Sequence, residues 1–209
     1  VPFLEEWVAL KMPFQRSKQR SNTIELEISS PTLSEDPNFN NRFGGFLASF
    51  AILRTDSGET QAAIDLISQA VTYFLKAVNS AAPSTIYKQN LNNAYWILAK
   101  NHLKAGDYVS SIAALESFLK MQIGKNRKVS AASLLVQAID RVNHDTQLKQ
   151  FERNELATSY TERALALLQQ AVNEGYAINT LIKYTEVGNK FHKLSKHKGF
   201  KKIIAGGEG

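Results

Sequence analysis

The chain contains no cysteine. A disulfide framework, a thiolate zinc site and a cysteine nucleophile are thereby excluded. The compartment stays open, since a cysteine-free chain is compatible with either redox environment. No run of about 18 apolar residues exists, the length a membrane-spanning helix needs, so membrane insertion is not expected. Four histidines (His102, His144, His192 and His197) are scattered without a His-x3-His pair or a His-Glu-x-x-His box, so a helical metal site lacks its ligands. The only adjacent glycines are Gly44-Gly45 and Gly206-Gly207, and neither belongs to a phosphate-cradling motif. His-Arg-Asp and Asp-Phe-Gly, the kinase signatures, are missing as well. The paired acids Glu5-Glu6 and Glu35-Asp36 read as solvated, and no Ser-His-Asp set stands out. The expectation is a non-enzymatic chain with no metal and no cofactor.

What is present is an ordinary globular composition. Of 209 residues, 44% are hydrophobic and 21% charged, enough for one large domain or two small ones. The formal charge of +6 is unevenly placed. Lys183, Lys190, Lys193, Lys196, Lys198, Lys201 and Lys202 face only Glu186 in the same stretch, which accounts for the whole excess. Smaller basic clusters lie at 11–20 and 120–128. The chain begins at Val1 without a charged-then-apolar leader and is expected to be a piece of a larger protein.

The first forty residues differ from the rest. Residues 3–12 suggest a short amphipathic helix ended by Pro13, and residues 23–29 alternate Ile24, Leu26 and Ile28 with Glu25 and Glu27 in a strand pattern. Pairing of that strand between chains would give self-association. Residues 29–31 and 34–41 read as loop, punctuated by Pro31 and Pro37. From Arg42 onward the apolar period is helical. Helices are expected at 43–54, 59–79, 87–104, 108–123, 129–142 and 154–174, with an insertion around 143–153 and two weaker helical windows from Asn179.

Self-comparison sharpens this. Gly58-Glu-Thr-Gln-Ala-Ala-Ile64 superposes on Gly106-Asp-Tyr-Val-Ser-Ser-Ile112 at an offset of 48 residues. Each copy has a glycine for a left-handed helix exit, an acid, then a small residue and Ile opening the next helix. A third second-helix copy starts at Tyr160-Thr-Glu-Arg-Ala164-Leu165, continued by Leu168 and Ala171.

The run Tyr95-Trp96-Ile97-Leu98-Ala99, His102, Ala105-Gly106-Asp107-Tyr108, Ser111-Ile112, Leu115 and Phe118 resembles the tetratricopeptide repeat. The spacing of 48 exceeds that family's usual period of about 34, the closing proline is absent, and Phe118 stands where a small residue is usual. With the 81–87 linker and the closing segment 160–204, the chain resembles the C-terminal repeat regions of planctomycete-type serine/threonine kinases. Any kinase domain would lie outside this chain, and the lysine-rich tail departs from the usual acidic closing segment. The resemblance implies an all-α fold of antiparallel helical hairpins stacked as a short α-solenoid: a non-helical extension over 1–41, hairpins at about 42–80, 87–123 and 129–175, and a basic closing segment at 179–204.

The resemblance also implies a groove along the first helices that takes a peptide or partner domain. Its candidate residues are Asn93, Trp96, Lys100 and Lys104, with Trp96 the anchor unless that ring packs against a neighbouring repeat. Ala48 and Ile52 of the preceding repeat do not match the basic clamp that chaperone-tail binders use, so that partner class is not expected. An alternative of another class is a nucleic-acid binder using Lys193, Lys196, Lys198, Lys201 and Lys202. Against it, Tyr184, Phe191 and Phe200 fall at apolar helical positions and read as core. His102 reads as packing.

Overall fold

The computed structural model describes residues 35–80, 84–121, 123–186 and 190–206, and among these every regular element is helical. The expected helix at 3–12 and strand at 23–29 lie outside the described residues. Six long helices follow one another: α1 (Pro37–Asp56), α2 (Thr60–Val78), α3 (Thr85–Lys104), α4 (Tyr108–Leu119), α5 (Lys125–Asn143) and α6 (Gln150–Asn173). The tail adds α7 (Ile178–Lys183), a 3-10 turn (His192–Leu194) and α8 (Lys198–Ala205).

Each long helix packs mainly on its chain neighbour, so α1/α2, α3/α4 and α5/α6 form hairpins. The first two turns share one device. Gly58 and Gly106 take φ of +81° and +90°, a left-handed conformation that costs other residues roughly 1–2 kcal/mol. Just past each turn a small residue meets the preceding helix. Ala63 and Ala51 are fully buried in the first hairpin, and Ser111 and Ala99 in the second. There the Ser111 hydroxyl donates to the Ala99 carbonyl at 2.8 Å. Helices α1 and α2 also approach closely at Gly44, where a Cβ would stand 3.0 Å from the Phe74 ring.

Hydrogen bonds between hairpins fix their direction. Tyr87 donates to Asn38 at 2.6 Å and Asn90 to Asn41 at 2.9 Å near the helix starts, while Thr55 donates to Asn101 at 2.9 Å near the ends. Start pairs with start and end with end, so α1 and α3 run parallel. Arg127, in the first turn of α5, donates to Asn93 in the first half of α3, continuing that order. Two core clusters result: one joins α1, α2 and α3 around Ile67 and Phe74, and the other runs from α3 to α8. Tyr95 and Leu98 pack against both.

Several boundaries differ from the sequence expectation. Residues 37–41 are helix rather than loop. Pro37 sits at a helix start, where its missing N–H costs nothing, and Asp36 caps the Asn38 amide at 2.8 Å. Helix α4 stops at Leu119, and Met121 and Ile123 pack against the two cores from the connection that follows. Helix α5 begins at Lys125, so residues 125–128 extend it. The insertion expected at 143–153 shrinks to residues 144–149. No glycine turns that corner. Asp145 accepts from the Gln147 amide at 2.9 Å, Arg153 donates to the Asp145 and Leu148 carbonyls at 2.8 Å, and Glu152 accepts from the Lys149 amide to start α6.

The tail is packed. Phe191 and Phe200 are fully buried, and Gly199 lies so close to α6 that a Cβ would meet Leu165 at 2.8 Å.

Candidate binding groove

The parallel order of α1, α3 and α5 brings their second halves side by side, and between them runs a groove of about 990 Å³. Its apolar floor is Ile52, Trp96, Ile97 and Leu134, and Ile52 remains 45% exposed. Lys100, Lys104, Arg141 and Lys190 bring positive charge to it, against Asp56 and Asp140.

The groove is held from beneath by polar groups that reach across helices. Asn101 is 2% exposed, donates to the Ile97 carbonyl at 3.0 Å and accepts from Thr55. The same Thr55 hydroxyl lies 2.8 Å from the Ala51 carbonyl of its own helix, so its one proton is shared between the two acceptors. Lys104 donates to the Thr55 carbonyl at 2.9 Å, so a cation meets the C-terminal end of α1 where the helix dipole is negative. Trp96 does two things: its ring lies 5.3 Å from the fully buried Phe118 ring and also lines the groove.

Of the four sequence candidates, the structure brings Trp96, Lys100 and Lys104 into one groove. Asn93 is exposed on the same helix but outside that lining, engaged with Arg127. Ile52 lines the groove, whereas Ala48 packs against the first core cluster. Sequence reasoning missed Thr55, Asn101 and Arg141. Asn101 carried a signal, since a polar amide follows Ala94 and Ile97 at core spacing. Arg141 carried none, because a basic residue near a helix end is common on solvated faces.

The tail lysines differ in their surroundings. Lys193 forms an ion pair with Asp140 of α5. Lys196, Lys198, Lys201 and Lys202 are exposed and make no ion pair among the described residues. Phe191 and Phe200 are buried and offer no ring for base stacking, while Tyr184 is half-buried with Lys190 over its face at 4.9 Å.

Two acids beside the turns carry lowered pKa values. Burial works to raise the Asp107 carboxyl, but hydrogen bonds from Ser110, with His102 beside it at 3.4 Å, outweigh that and hold it low. At Asp145 the Tyr108 hydroxyl, donating at 2.8 Å, is the largest cause of the lowering, followed by the Gln147 amide. Burial and the same hydrogen bond push the Tyr108 phenol up to about 12. Both pairs lie at hairpin corners, away from the groove lining, and read as structural.

Among the described residues no cluster of three or more His, Asp or Glu is placed to hold a metal ion. Among them, too, no helix is long and apolar enough to cross a membrane. Comparison with family models, with curated proteins and with solved structures returns no match.

Proposed function

We propose that this chain is a non-catalytic protein-interaction module of the tetratricopeptide type, a short α-solenoid whose first-helix groove binds a peptide or a segment of a partner protein. The solenoid reading is supported by three hairpins in sequence, by the repeated glycine exit with a small residue after it, and by parallel first helices. The observation that carries the function is the groove itself: its lining combines apolar side chains, Trp96 among them, with several cations. Such surfaces take extended or helical segments, anchored by a large amphipathic ring. Membership of a larger, kinase-containing protein rests on sequence resemblance alone.

The test is selection from a random displayed-peptide library on the full chain, followed by the double variant Trp96→Ala, Lys100→Ala. Selected peptides are expected to lose binding to that variant. Peptides that bind both proteins equally would sink the groove reading.

A further inference from the structure

The groove's charge is unbalanced, and the imbalance specifies an occupant. Asp140 is already neutralised, because Lys193 comes in from the tail to pair with it. That leaves Asp56 as the one lining carboxylate without an ion pair among the described residues. Facing it are Lys100 and Arg141, both exposed and neither ion-paired among those residues. Lys190 adds a third charge, held over the Tyr184 ring. Lys104 is committed to the Thr55 carbonyl and counts for less.

Resting on the reading of this groove as a peptide site, we propose that it selects an acidic extended segment of a partner protein, one in which carboxylates alternate with apolar side chains. In an extended chain successive side chains point to opposite sides. One set then lies on Ile52, Trp96 and Leu134, while Lys100 and Arg141, one and two helical turns further along the same helices, have side chains long enough to reach the other set. A volume of about 990 Å³ accommodates several residues of such a segment. Complementary charge at a partly open site acts chiefly on specificity and association rate, so the selectivity weakens as salt rises.

The experiment is fluorescence anisotropy with three labelled decapeptides, alternating leucine with glutamate, glutamine or lysine, titrated with the full chain at low and high salt. The glutamate peptide is expected to bind at least about tenfold more tightly than its glutamine isostere, a gap of roughly 1.4 kcal/mol. Lys100→Glu with Arg141→Glu, exposed positions whose variant is checked by circular dichroism, is expected to abolish that preference and favour the lysine peptide. Equal binding of the glutamate and glutamine peptides, lost in Trp96→Ala, overturns the acidic selectivity and leaves the groove reading standing. Glutamate-peptide binding that survives all groove changes but is lost in Lys196→Gln, Lys198→Gln, Lys201→Gln, Lys202→Gln overturns both. Failure of all three peptides to bind also overturns the selectivity, and the library selection then decides the groove.

Discussion

Ser111 does two things at a hairpin corner that a larger side chain could not. It lets α4 come within hydrogen-bonding distance of the α3 backbone, and it gives the Ala99 carbonyl a second donor. Ser111→Ala is expected to cost about 1 kcal/mol and Ser111→Leu more than that, because the crowded contact must open. Urea denaturation midpoints would order the two variants. Tyr108 makes a pH-dependent contribution next door. Its folded phenol keeps its proton to about pH 12, against an ordinary value of 10.0. The stability it lends is therefore full below about pH 10 and is lost as the pH rises through about 12. Asp145 works in the opposite direction. Its lowered pKa lends stability above the ordinary carboxyl value of 3.8, and this is lost as the pH falls through the lowered one. Tyr108→Phe should flatten the alkaline limb of a stability–pH profile and weaken the acid limb. An unchanged alkaline limb would show that the phenol is not the group responsible.

Among the helices, glycine substitutions should split by sign. Gly58→Ala and Gly106→Ala each force a left-handed alanine and should destabilise by roughly 1 kcal/mol. Gly45 lies inside α1 with open space around its Cβ position, so Gly45→Ala should stabilise by about 0.5–1 kcal/mol. Its neighbour Gly44 faces the Phe74 ring, and Gly44→Ala should not share that gain. Thermal melts of the four variants check the pattern. The first two turns were legible in the sequence because a left-handed exit leaves a visible residue type, glycine, at a fixed distance from a small one. The third corner was not legible, since Asp145, Arg153 and Glu152 build it from side-chain hydrogen bonds that no spacing rule announces. Pro37 misled for a related reason. The same residue ends one helix and starts another, and the Asp36 cap decides which. In the groove, Trp96, Lys100 and Lys104 were legible through the resemblance to the tetratricopeptide repeat, which singles out that face of α3. Thr55 and Arg141 belong to other hairpins and enter only once the parallel stacking of α1, α3 and α5 is known.

At the scale of the molecule, the two core clusters meet through few residues, and the tail belongs to the second. Phe200→Ala should destabilise that half by about 3–5 kcal/mol while leaving α2 amides protected in hydrogen exchange. Simultaneous loss of protection in α2 would mean the chain unfolds as one unit. The basic tail also has a discriminating test. Removing it would take Phe191 and Phe200 out of the core, so charge must be changed without deletion. If nucleic acid were the ligand, Lys196→Gln, Lys198→Gln, Lys201→Gln, Lys202→Gln should reduce the salt slope of oligonucleotide binding by about one per lost phosphate contact. A flat slope in the unaltered protein removes that alternative. Finally, the end-to-end hydrogen bonding of α1 with α3 gives the groove a sense of direction. Parallel helices align their dipoles, so carbonyl ends gather at one mouth, where Lys104 already answers one of them. A bound segment therefore meets different surroundings at its two termini. A peptide and its reversed sequence, alike in composition, should not bind alike.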